Sequence, residues 1–439
     1  MSYLQQAGVK ASARSANREA AAYFERALAA LAQRPETHET LEQGIDLRFD
    51  VRTALLPLNE IERGSEYLRE AERLATRLDD QRRLGWAAAY MSANFWLRGR
   101  SADARAVGER AHAIAEQAGD FALTVAANYS LGAACHACGD LERAVAYHRK
   151  AVDLLEGERN RHRYRLTGFP GATSRSWLAW ALAELGEFEE GIAHGREGIR
   201  VADSLDHPYS LIVACRGLAR LYCVKGEFAE AIPLLQRGLA LSREYNITVF
   251  ASLLSSFLGY AYLHSGRAEE GRTLLQETLP VIEATGAGLF HSLGVVHLGE
   301  AFLLTGQLDA AQSAAERALT VARSRGERSY EAWALRLVAE IAARRETAAL
   351  DTAAGAYEQA GALAEALGMR PLLAHCRLGL ATLHRRAGRW APVPEHLAAA
   401  TSMFREMDMR FWLERAQADF SELGDTGEGM SDAVRGPSV

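Results

Sequence analysis

The chain has 439 residues, 49% of them hydrophobic and 24% charged, and its 56 acidic side chains outnumber its 50 basic ones for a formal net charge of −6. That is ample apolar material for a core and excludes wholesale disorder. The acidic balance argues against nucleic acid as a partner, because counterion release needs a basic footprint.

In chain order, Met1 to Arg14 lacks the basic start and apolar core of a signal peptide. From there to about residue 407 the apolar residues keep helical spacing, and a short signal recurs. A glycine is followed by two or three residues and then a small residue opening an amphipathic run: Gly99 with Ala104, Gly139 with Ala144, Gly186 with Gly191, Gly226 with Ala231, Gly266 with Gly271, Gly306 with Ala311, and a last copy at Gly388. The steps are 40 residues, apart from one of 47 and a final double step of 82. Each unit reads as two helices around a tight turn, with glycine supplying the left-handed backbone that ends the first. The small residue lies where the second helix crosses the first. A single pair cannot bury both faces, so the copies must stack. The spacing predicts about ten helix pairs over residues 1–423, an amphipathic capping helix at 409–423, and a disordered tail at 424–439. The stretch Tyr245 to Gly266 carries no Lys, Arg, Asp or Glu. Its polar residues and its phase with the repeat place it inside the array rather than in a membrane.

The units resemble the tetratricopeptide repeat. The small residue that the family places in the first helix corresponds to Ser92, Gly132, Ala179, Ala219, Gly259 and Gly299, and the aromatic after it to Phe95, Tyr222, Tyr262 and Phe302. The first unit fits through Gly8, Ala20, Phe24 and Ala27, and the units near 47–78 and 332–367 are degenerate. The resemblance implies an all-α, right-handed α-α superhelix that binds a protein or peptide on its inner face. Tyr3 to Ala22, Leu367 to Gly379 and Met403 to Glu414 are also similar to the C-terminal repeat arrays of bacterial signalling proteins that carry a class III nucleotide cyclase domain and an AAA-type ATPase domain. That likeness implies a regulatory array linked to a cyclase or ATPase. Only Lys10, Lys150 and Lys225 are lysines, and none completes a phosphate-binding loop, so neither activity is implied for this chain.

No catalytic, metal or cofactor signature stands out. Cys135-His-Ala-Cys138 lacks a second ligand pair, and reads as small buried cysteines in a helix interface. Five scattered cysteines suit a reduced, cytoplasmic setting. The inner groove is the candidate site, and the family's groove positions fall on Trp86, Trp96, Tyr129, His136, Trp180, Arg216, Arg220, Tyr260, Glu300, His375 and Arg385. Aromatics with a few arginines anchor protein segments well. Arg216 and Arg220 are expected to hold a carboxylate or phosphate in bidentate fashion. The alternative is a metabolite held by Trp96, Tyr129, Trp180 and Arg216 inside a closed superhelix. The 47-residue step contains an insertion, 157–171, in which Arg159, Arg161, Arg163 and Arg165 lie close together. It reads either as a solvated loop or as a contact for an acidic partner, and its Phe169-Pro-Gly171 end suggests a loop that packs back on the array.

Overall fold

The computed structural model describes residues 2–284, 288, 290–345 and 350–421. Among them are 21 α-helices, and no strand. Ten antiparallel pairs follow one another: α1 and α2 (Ser2–Ala13, Asn17–Leu31), α3 and α4 (His38–Leu55, Ile61–Arg77), and α5 and α6 (Gln81–Leu97, Ser101–Ala118). Next come α7 and α8 (Phe121–Ala137, Leu141–Asp153), α9 and α10 (Pro170–Leu185, Phe188–Ser204), and α11 and α12 (Pro208–Lys225, Phe228–Glu244). The last four are α13 and α14 (Ala251–His264, Ala268–Ala284), α15 and α16 (His291–Leu304, Leu308–Arg325), α17 and α18 (Arg328–Arg344, Leu350–Ala366), and α19 and α20 (Arg370–Arg386, Val393–Glu406). A final helix, α21 (Arg410–Ser421), caps the array, and the tail expected at 424–439 lies outside the described residues.

The repeat signal corresponds to this geometry. All seven turn glycines, from Gly99 to Gly388, have positive φ between 68° and 94°. A Cβ on Gly132, Gly259 or Gly299 would lie 2.6–2.8 Å from a side chain of a neighbouring helix. These positions are therefore small because helices touch there. The uncharged stretch 245–266 supplies α13, only 14 residues long, with Leu254, Phe257 and Tyr260 in the core. No helix among the described residues is long and apolar enough to cross a membrane.

The superhelix closes on itself. Main-chain hydrogen bonds run from Thr248 N to Pro57 O (2.8 Å) and from Gly288 N to Leu97 O (3.1 Å). Trp412 Nε1 donates to Val224 O across 188 residues at 3.3 Å, and Lys225 pairs with Asp408 at 3.0 Å. Successive turns of the array thus meet edge to edge. In the middle of the array the first helices of the pairs become buried all round: every residue of α11 is buried, and all of α9 except Leu185. A helix with no polar face is stable only when protein surrounds it on every side. The outer helices keep an exposed polar face laced with ion pairs, such as Arg149–Glu190 (2.7 Å) and Arg237–Asp203 (2.5 Å). Exposed pairs of this kind each contribute at most about 1 kcal/mol. Stability therefore rests on the apolar interior.

Candidate functional site

The interior is built from the inner helices. On α9, Trp177 and Trp180 lie parallel with centroids 5.3 Å apart, and the ring of His148 stacks on Trp177 from the other side. Trp96 meets Trp177 edge-on at 5.3 Å, and Phe290 closes on Trp180 at 4.6 Å. His136 packs edge-on against Trp177, Trp180 and Phe290, with neither ring nitrogen hydrogen-bonded. Burial first, then the nearby Arg216 and Arg220 charges, push its pKa down to about 3, so the ring is neutral.

Arg216, on α11, enters this aromatic cluster. Its guanidinium carbon lies 4.3 Å from the Trp177 centroid, 4.6 Å from Phe250 and 5.5 Å from Trp180. The side chain is fully buried, and Nε, Nη1 and Nη2 all lack a hydrogen-bond partner. Desolvation pulls its pKa down to about 10. Arg220, one turn on, differs. It is also buried, but pairs with Glu184 at 2.9 Å, and that carboxylate accepts from Trp180 Nε1 (3.2 Å) and Trp333 Nε1 (3.4 Å). The expectation that both arginines offer themselves to an anion is therefore corrected: Arg220 is already neutralised, and only Arg216 is uncommitted.

The other groove residues divide by place. Tyr129 adjoins the Arg216 cluster, its hydroxyl accepting from Trp177 Nε1 at 3.3 Å. Tyr260, Glu300 and His375 sit further down the interior. There Glu300 lies 3.2 Å from His264 and 3.3 Å from Arg336, and Arg336 also pairs with Glu340 at 2.6 Å. Burial alone would raise the Glu300 pKa, but Arg336 and His264 hold it far below the usual carboxylate range. His264, Glu300, Arg336, Glu340 and His375 line a pocket of about 270 Å³ beside Trp412. Two residues stand apart. Trp86 packs with Tyr90 in the core of the third unit. Arg385 lies at the C-terminal end, bonded to Asp419 O and over the Phe420 ring.

The insertion also divides. Residues Gly157–Arg161 form a 3-10 turn, with Arg159 and Arg161 exposed. Pro170 and Gly171 already belong to α9. Arg163 is half-buried and bonds Leu166 O at 3.2 Å. Arg165 pairs with Asp46 at 2.9 Å, its guanidinium lies 5.7 Å from both the Phe49 and Trp86 rings, and its carbonyl accepts from Tyr90 (2.8 Å). The segment after it is thus packed back on the array rather than solvated.

Arg52, on α3, was not among the groove positions, because its unit is too degenerate to align. It is buried and donates from Nε and Nη2 to Asn94 Oδ1 at 3.1 and 2.7 Å, and pairs with no carboxylate among the described residues. Trp177, Tyr209, Glu184 and Arg336 were also missed. For the buried ion pairs a signal existed: Glu184–Arg220 and Glu300–Arg336 share the same offset of 36 residues.

With this geometry in hand, comparison with known proteins becomes informative. The tetratricopeptide repeat family model matches residues 127–161, from within α7 through α8 and the following turn, and residues 214–246, from within α11 to just past α12. These two segments are similar to tetratricopeptide repeats. Comparison with curated protein sequences finds no match. Among solved structures, one similar chain is a Rap protein complexed with competence and sporulation factor, at TM-score 0.61 and 12% identity, covering 83% of this chain and 99% of that one. A second is the Rap conjugation gene regulator of plasmid pLS20 with the Phr* peptide, at TM-score 0.52 and 12% identity, covering 83% and 96%. A third is the apo quorum sensor NprR from B. thuringiensis, at TM-score 0.50 and 13% identity, covering 84% and 99%. At these identities the likeness establishes a shared helical-repeat fold.

Proposed function

We propose that this chain is a non-enzymatic regulator that takes a short peptide or protein segment into its superhelix and anchors a carboxylate of that segment on Arg216. One observation carries the reading: a fully buried guanidinium with three unbonded nitrogens, caged by Trp177, Trp180 and Phe250. A buried cation without a counter-charge is costly, and an incoming carboxylate would supply the missing partner and bidentate bonds. Two of the structurally similar proteins were solved with competence and sporulation factor and with the Phr* peptide, respectively, which supports a peptide as the ligand. The closed interior favours a second reading, an anionic metabolite bound at the same arginine. The likeness of both ends to cyclase- and ATPase-linked arrays makes such an enzyme the candidate effector.

The test is affinity selection. The full chain is incubated with two random hexapeptide libraries, one with free C-termini and one amidated, and retained peptides are identified by mass spectrometry after gel filtration. Enrichment from the free-acid library alone, lost in Arg216→Met, supports the reading. Equal enrichment from both libraries, or enrichment unchanged in Arg216→Met, overturns it.

A further inference from the structure

Arg216 is not the only inner cation without a carboxylate. Arg52 is also buried, and among the described residues its hydrogen bonds go to the Asn94 side chain and the Tyr90 carbonyl, both neutral. The phenols of Tyr129 and Tyr209 lie near both guanidinium groups. Between these side chains is a chamber of about 30 Å³, lined by Arg52, Trp96, Tyr129 and Tyr209 together with Thr167 and Gly168 of the insertion. Thr167 Oγ1 is buried there without a partner. One cation with phenol and alcohol hydroxyls around it is the donor set of an anion site: charge-assisted hydrogen bonds in a dry surrounding are the strong ones.

The wall formed by the insertion is held in a particular way. Just before Leu166, two consecutive non-glycine residues, Tyr164 (φ 46°) and Arg165 (φ 62°), adopt the left-handed conformation. Such residues are individually unfavourable and persist only where surrounding contacts enforce them. Here those contacts are the half-exposed Arg165–Asp46 pair and the hydroxyl of the buried Tyr90 on the Arg165 carbonyl. Release of this latch would free the two turns and uncover Thr167 and Gly168.

We infer that the Arg52 chamber is a second anion subsite, taking a carboxylate or phosphate group, and that residues 157–168 are its lid, latched by Arg165 on Asp46. The inference rests on reading the interior as a ligand site, and it narrows the ligand to one with two anionic groups, one for Arg216 and one for Arg52. Because the subsite is small and separate, free anions report on it without the peptide.

The experiment titrates the full chain with sodium acetate and, separately, sodium phosphate, at ionic strength held by sodium fluoride. Tryptophan fluorescence is followed, since Trp96 lines the chamber. At least one of the two should give a saturable change, and which one does distinguishes a carboxylate from a phosphate source. Arg52→Met should weaken it at least tenfold. Tyr209→Phe removes a hydroxyl but no buried charge, and should weaken it severalfold in a chain of unchanged circular dichroism, so it decides the matter if Arg52→Met does not fold. Arg216→Met removes any response from the peptide anchor and should leave the Arg52-dependent component in place, which separates failure of this subsite from failure of that anchor. In stopped flow, Arg165→Ala should speed the approach to saturation at least fivefold. Non-saturating responses to both anions, or saturation unchanged in both Arg52→Met and Tyr209→Phe, would overturn the subsite. Unchanged rates in Arg165→Ala would overturn the lid.

Discussion

Arg216 and Arg220 occupy one helix, one turn apart, both fully inside the protein, and the account requires opposite consequences from neutralising them. A guanidinium whose pKa falls from 12.5 to about 10 is disfavoured as a cation by about 3 kcal/mol relative to the unfolded chain. Its three ring contacts return about 1.5–3 kcal/mol at roughly 0.5–1 kcal/mol each. Replacement by methionine, similar in length and able to fill the same slot between the rings, removes both terms. The unfolding free energy of Arg216→Met should therefore lie within about 1.5 kcal/mol of that of the natural chain. Arg220→Met strands the buried Glu184 carboxylate, which keeps only its indole donors, and should cost about 3–5 kcal/mol. Urea unfolding read by far-ultraviolet circular dichroism measures both. If Arg216→Met destabilises as much as Arg220→Met, then Arg216 has a structural partner and the reasoning fails.

Three other outcomes follow from the interior. His136 is neutral in the fold because burial lowers its pKa to about 3, so the unfolded chain gains a proton below about pH 6.5 that the folded chain does not. Its contribution is constant above that pH and is lost by about 1.4 kcal/mol per pH unit as pH falls towards 3; His136→Phe should make the stability slope between pH 6 and 4 shallower by one proton, and an unchanged slope would refute the assignment. A Cβ on Gly217 would lie 2.2 Å from the Ser176 carbonyl oxygen, so α9 and α11 would have to separate; Gly217→Ala should cost about 3 kcal/mol by urea unfolding. Cys135, Cys215, Cys223 and Cys376 are buried, with desolvation raising each thiol to about 12; an aromatic disulfide reagent should label at most Cys138 in the native protein and all five cysteines in urea.

The repeat was legible because a positive-φ glycine and a small crossing residue are imposed by geometry at every copy, as Gly226 and Ala231 show. Inward placement recurs with the repeat: Trp180, Arg220, Tyr260 and Glu300 fall 40 residues apart at equivalent positions, and all four are buried. Periodicity cannot report what a side chain meets across the superhelix. Arg216 and Arg220 look alike in the sequence, and only the approach of Glu184 and Trp333 separates them. Nor does it show that the array closes, because the contacts that close it, such as Trp412 on Val224, join units remote in the chain. The insertion was half legible. Its return onto the array could be read from Phe169-Pro170-Gly171, whereas the different fates of Arg159 and Arg165 depend on Asp46, far away in a degenerate unit.

The most direct test of the carboxylate anchor is a double-mutant cycle in solution. A selected free-acid peptide and its C-terminal amide are each titrated calorimetrically into the natural chain and into Arg216→Met. The account predicts that amidation weakens binding to the natural chain about a hundredfold, as loss of a buried charge pair requires, and leaves binding to Arg216→Met unaffected. The same amidation penalty in both proteins would contradict it.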